Sequence, residues 1–142
     1  MFIRLTDSIS VAPQLAPADI ALAASQGFTS IVNNRPDSEA PDQPTSATIA
    51  AAAEAAGLRY AHIPIDQSGY GQPQIDAMGE ELGATTGPLL AFCRSGTRST
   101  SLWALAFAAR DGDPESIVAT AAAGGYDLSA MLPALRRLAG QD

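Results

Sequence analysis

The sequence predicts an α/β fold, a mostly parallel sheet covered by helices on both faces, and three features of the chain predict it. Short apolar or β-branched runs alternate with longer segments of helical composition, the order expected of strand–helix units. Glycine or proline marks most of the transitions. The chemically useful residues fall just after three of the predicted strands, at the carboxyl ends where open α/β sheets bind ligands.

Taken in order, Phe2 to Leu5 and Ser10 to Gln14 are short strand candidates. Pro17 opens a helix through Gln26, closed by Gly27. The β-branched run Phe28 to Asn33 is a strand, followed by a polar, proline-rich loop from Asn34 to Pro44. Thr45 to Ala56 is an alanine-rich helix with Gly57 at its end. Leu58 to Ile65 is the next strand, with Pro64 expected to stop its pairing. Asp66 to Gln72 reads as a flexible loop, and Pro73 opens a helix through Leu82. Leu89 to Phe92 is a short buried strand, and the segment from Arg98 to Phe107 is a helix apolar on most faces. Asp113 caps a helix from Pro114 to Ala123, stopped by Gly124 and Gly125. A last helix spans about Ser129 to Leu138. No repeat and no dividing linker is visible, so residues 1–142 read as one domain.

Composition narrows the function classes. A hydrophobic content of 46% with 16% charged residues excludes a disordered chain. No apolar stretch approaches membrane-spanning length, and the start lacks the basic and apolar regions of a signal peptide. A single cysteine rules out an internal disulfide and fits a reducing, cytoplasmic setting. The net charge is −7, and all eight basic residues are arginines. Without a basic stripe, nucleic acid is an unsuitable partner. No cofactor is implied, and His62, the only histidine, has no metal-ligating neighbours and reads as structural.

The one cysteine carries the functional reading. Cys93 follows the apolar run Leu89–Phe92 and begins the segment Cys93-Arg-Ser-Gly-Thr-Arg98. A thiol where a strand hands over to a helix faces the helix's unpaired amides and positive dipole end. Those conditions favour the thiolate, the reactive species. A buried cysteine acting as a small hydrophobe is the bland alternative. Arg94, Gly96 and Arg98 make poor core partners and argue against it. The amides of Arg94, Ser95, Gly96 and Thr97 are placed to cradle an oxyanion, with Arg98 as a forked charged donor. Arg35, at another strand end, joins them as a candidate for binding a small anionic substrate. Ser99 is expected either to donate its hydroxyl toward the sulfur or to cap the helix. Asp66, on the loop after a strand, is the general-acid candidate; a plain surface aspartate is its alternative. Trp103 and Phe107, four apart on the helix behind the site, read as core rather than as a substrate platform.

Phe28 to Asp37, Tyr60 to Ile65 and Cys93 to Ser99, in that order, resemble a bacterial phosphatase-like family, also found fused to beta-lactamase-like hydrolases. That family is itself similar to dual-specificity phosphatases, and the resemblance runs from about Ile9 to the final helices. It implies a protein-tyrosine-phosphatase-like three-layer sandwich with a central sheet of four or five strands. The chain departs from the tyrosine phosphatase pattern in two places: Phe92 replaces the histidine before the cysteine, and four residues rather than five separate Cys93 from Arg98. The shorter loop resembles that of single-domain rhodaneses.

Two chemistries follow. Loop length favours a sulfurtransferase, in which Cys93 takes a sulfane sulfur from thiosulfate or a persulfide donor and passes it on as a persulfide. The body of the chain favours a phosphatase, in which Cys93 forms a phosphocysteine from a phosphate ester while Asp66 protonates the leaving group. A non-catalytic anion-binding or redox-sensing module is the third reading.

Overall fold

The computed structural model describes residues 1–110 and 112–141. Among the described residues, five strands form one sheet in the order β1-β2-β5-β3-β4. They are β1 (Ile3–Arg4), β2 (Ile9–Ala12), β3 (Ser30–Asn33), β4 (Arg59–His62) and β5 (Leu89–Phe92). Only the β1–β2 pairing is antiparallel; β2–β5, β5–β3 and β3–β4 are parallel. The helices are α1 (Pro17–Ser25), α2 (Ser46–Ala55), α3 (Gln72–Ala84), α4 (Thr97–Arg110), α5 (Pro114–Ala123) and α6 (Leu132–Leu138), the last entered through a 3-10 turn at Ser129–Met131.

The three layers follow from the two-residue period of the strands. Leu90 and Phe92 of β5, with Ala12 and Ile31, face Ile20 and Ala23 of α1 and Ile49 and Ala53 of α2. Leu89 and Ala91, with Ile9, Val11 and Val32, face the other way, onto a larger core including Met78, Leu102, Ile117 and Leu135. Phe92 is completely buried at the position where the resemblance leads one to expect histidine. Helix α4 lies in the middle of its layer against α3, α5 and α6. That central place explains why a helix apolar on most faces is stable here.

Apart from β5, the strands are shorter than the sequence suggests, for local reasons. Pro13 lacks an N–H and ends β2 at Ala12. Phe28 and Leu58 give their N–H groups to the carbonyls of Ala23 and Ala53, closing α1 and α2 before the strands start. At the far end, pairing continues beyond regular strand geometry. Ile63 N–H bonds Asn33 O at 2.9 Å, and Ile65 N–H bonds Asn34 O at 3.0 Å.

Parallel pairing puts Asn33, His62 and Phe92 opposite one another. The residues that follow them, Asn34-Arg35, Ile63 to Asp66 and Cys93, therefore leave the sheet along one edge.

Candidate active site

Cys93 is the first residue past β5, and its side chain has no exposed surface. It is not a hydrophobe among hydrophobes, because Gly96 N–H donates to its sulfur at 3.0 Å. The loop curls back over Sγ, and that curl requires Gly96 to adopt φ = +92°. The Gly96 carbonyl is fixed from the other side by the N–H and hydroxyl of Thr100, at 2.9 and 2.8 Å. The N–H groups of Arg94, Ser95, Arg98 and Ser99 find no protein acceptor among the described residues. These are the unpaired donors expected at the start of α4.

Arg98, in the first turn of α4, is held rather than mobile. Its Nη1 and Nη2 donate to the two oxygens of Glu39 at 2.8 and 2.9 Å, and Nη1 also donates to Ile65 O at 2.9 Å. Arg35 Nε donates to the same Glu39 carboxylate at 2.9 Å, and its Nη1 donates to Gln14 Oε1 at 3.0 Å. One carboxylate thus bridges two guanidinium groups. The hydrogen bond from Arg98, ahead of that from Arg35, holds Glu39 down from 4.5 to about 2. The same bond raises the Arg98 pKa, with a smaller contribution from the nearby Cys93 sulfur. The bridge occupies the Nη1–Nη2 edge of Arg98 and leaves Nε–H outside the Glu39 pair.

The loop that carries Glu39 is itself tied down. Gln43 accepts from Glu39 N–H at 3.1 Å and donates to Pro36 O at 2.8 Å. Ser38, just before Glu39, has φ = +66°, a left-handed conformation uncommon for a residue with a side chain. Strain of this sort persists where surrounding contacts enforce it.

Arg98 and Glu39 line a groove of about 590 Å³ with Pro36, Ile65, Asp66, Gln67 and Ser68. Asp66 is exposed there and accepts from Ser68 N–H at 2.8 Å, which fixes the turn after β4. Asp66 and Arg98, chosen from the sequence on separate grounds, share this groove.

Two candidates sit differently from expectation. Arg35 is 5% exposed and its bonds go to Glu39 and Gln14, so it supports the bridge instead of facing an anion. Ser99 is fully buried and gives its hydroxyl hydrogen to Asn34 Oδ1 at 2.8 Å rather than to the cysteine sulfur. Asn34 in turn donates to Ile63 O at 2.9 Å, so the pair joins α4 to the ends of β3 and β4. Ser95 and Thr97 hydrogen-bond each other through their hydroxyls at 3.0 Å. Arg94 stays exposed at the loop surface.

His62 Nε2 lies 2.8 Å from Arg35 O, the structural place read from the sequence. Trp103 is 3% exposed and stacks on the partly exposed Phe107, with ring centroids 5.8 Å apart. Glu39 and Tyr126 were not singled out from the sequence. Glu39 lies four residues after Arg35, but in a loop that spacing carries no periodic signal. Tyr126 reaches the cysteine loop only through tertiary folding.

Residues 2–110 match the family described as Beta-lactamase hydrolase-like protein, phosphatase-like domain. The chain belongs to this family. A Beta-lactamase hydrolase-like protein of Agrobacterium fabrum is 36% identical over 103 residues, covering 72% of this chain and 24% of the relative. One from Xylella fastidiosa is 32% identical over 139 residues, covering 96% of this chain and 32% of the relative. The chain thus spans about a quarter to a third of the length of these relatives.

Among solved structures, a protein of Neisseria meningitidis described as a candidate phosphatase superposes with a TM-score of 0.80 at 31% identity, covering 96% of each chain. PTPMT1 superposes with a TM-score of 0.72 at 15% identity, covering 99% of this chain and 94% of its own. Pseudomonas aeruginosa TpbA, solved as a cysteine-to-serine variant with phosphotyrosine, gives 0.64 at 15% identity, covering 99% of this chain and 91% of its own. The last two establish likeness of fold alone.

The expected phosphatase-like family and tyrosine-phosphatase-like α/β sandwich are therefore found. The sulfur-transfer reading, which rested on loop length, gains no support from these proteins; the phosphatase alternative does. No helix among the described residues is long and apolar enough to cross a membrane.

Proposed function

We propose that residues 1–142 form one catalytic unit that hydrolyses phosphomonoesters through a phosphocysteine at Cys93. The observation that carries this reading is the arrangement at the sheet edge. Gly96 N–H reaches the Cys93 sulfur, Arg98 is pre-set by Glu39, and Asp66 lines the groove that Arg98 lines. Membership of a phosphatase-like family supports it.

In the first step the Cys93 thiolate attacks phosphorus, and the bond from phosphorus to the ester oxygen breaks. Protonated Asp66 gives its proton to that oxygen, and the alcohol departs. In the second step the Asp66 carboxylate takes a proton from water as that water attacks phosphorus. The phosphorus–sulfur bond breaks, inorganic phosphate leaves, and the thiolate is restored. The non-bridging oxygens take hydrogen bonds from the N–H groups of Arg94, Ser95, Arg98 and Ser99 and from the Nε side of Arg98. Glu39 keeps the other edge of that guanidinium engaged, so the arginine is oriented before substrate arrives. Because the sulfur is covered, the loop from Arg94 to Thr97 must loosen around the incoming anion.

The test compares two activities of one preparation. The wild type should release phosphate from an aryl phosphate, and Cys93→Ser should not. Cyanide-dependent formation of thiocyanate from thiosulfate without any phosphate release would replace this reading with sulfur transfer.

A further inference from the structure

Tyr126 lies beyond the family-matched residues, in the segment after α5, and its hydroxyl donates to Ser95 O at 3.0 Å. That carbonyl belongs to the same peptide unit whose N–H, on Gly96, donates to Cys93 Sγ at 3.0 Å. The phenol, the peptide and the sulfur therefore form one chain of hydrogen bonds, O–H to O=C and N–H to S. Linked hydrogen bonds polarise one another, so a donor on the carbonyl makes the N–H at the other end a better donor.

The geometry leaves little freedom here. A Cβ at residue 96 would collide with the Tyr126 hydroxyl and stand 3.1 Å from its ring carbon Cζ. Gly96 already sits at φ = +92°, where a rotation of the Ser95–Gly96 peptide is open to glycine. Such a rotation would replace the N–H at the sulfur with a carbonyl oxygen. Burial raises the Tyr126 pKa, and the charge on Cys93 adds to it, which keeps the phenol a donor.

We propose that Tyr126 is a positioning residue that locks the Ser95–Gly96 peptide with its N–H toward Cys93 and so sets how readily that thiol ionises. The proposal rests on Cys93 being the nucleophile of the proposed reaction, but its test does not require turnover.

Cys93 is the only cysteine, so alkylation by iodoacetamide, followed by intact mass, reports on it alone. Rates are measured across pH for the wild type and for Tyr126→Phe. The ionisable groups coupled to the sulfur are Arg98, itself held by Glu39 with Arg35, and Tyr126; the variant removes only the last of them. Loss of one oriented hydrogen bond should move the alkylation profile upward by about half a pH unit, with about threefold slower reaction below the midpoint. The plateau at high pH should not fall, because the loop is no more closed than before. A midpoint that stays put or moves down overturns the proposal, and a change of plateau alone would mean that Tyr126 only limits access.

A second variant guards against misfolding of the first. Gly96→Ala should slow alkylation, and adding Tyr126→Phe should recover part of the loss by removing the colliding hydroxyl. If the double variant is slower than Gly96→Ala alone, the contact is not the one described. A shifted profile in a protein without phosphatase activity would keep the lock and discard the phosphatase reading.

Discussion

Glu39→Gln is the substitution that most directly probes how Arg98 is held. The variant keeps the size of the side chain and removes the charge that bridges Arg35 and Arg98. A carboxylate drawn from 4.5 to about 2 marks at most about 3 kcal/mol of interaction, at 1.36 kcal/mol per pH unit. With the Glu39 side chain 30% exposed, solvent screening brings that to about 1–2 kcal/mol. Because the folded value lies below the ordinary one, this stability is fully present above about 4.5. It is lost as the pH falls through about 2. Urea unfolding of both proteins should therefore differ by about 1–2 kcal/mol at pH 7, equivalent to about 3–7 °C in Tm. The difference should shrink steadily as the pH is lowered from 4.5 toward 2. KM for an aryl phosphate should rise more than kcat falls, since Arg98 must then be ordered by the substrate. Equal stability at pH 7, or a gap that persists unchanged down to the lowest pH at which both proteins fold, would refute the bridge as described.

Two further substitutions separate neighbouring roles. Asp66→Asn should lower kcat/KM by about a hundredfold or more for an alkyl phosphate, but by less than about tenfold for p-nitrophenyl phosphate, whose leaving group needs little protonation. Equal losses on the two substrates would remove Asp66 as the acid. Ser99→Ala should cost about 1–3 kcal/mol in urea unfolding, because it strips a buried partner from Asn34. Its Cys93 alkylation profile should stay within about twofold of wild type, given that the Ser99 hydroxyl serves Asn34 and not the sulfur; a large change would restore the role expected from the sequence.

The fold was legible because each local signal agreed with the global pattern. Leu89–Phe92 and Pro114–Ala123 fall where apolar run and cap placed them, and Thr45 caps α2 through Thr48 N–H. The strand ends were overrun wherever a backbone group was used for something else, as at Phe28, whose N–H closes α1. The cysteine, its glycine turn and Arg98 were readable from spacing alone. The electrostatics around Arg98 were not, since Glu39 sits 59 residues away in a loop whose conformation depends on Gln43 and on a left-handed Ser38. The same holds for Tyr126, 31 residues from its partner. Loop length pointed to sulfur chemistry because ring size is visible in a sequence. The partners that hold the loop are visible only in three dimensions.

The most direct measurement is intact mass after rapid acid quench of the protein mixed with an aryl phosphate, run beside the same protein mixed with thiosulfate. A phosphoryl adduct of about 80 Da should form, absent in Cys93→Ser and accumulating in Asp66→Asn with a good leaving group, where water activation is lost. An adduct of about 32 Da from thiosulfate, with none from the phosphate ester, would mean that Cys93 carries sulfur and not phosphate.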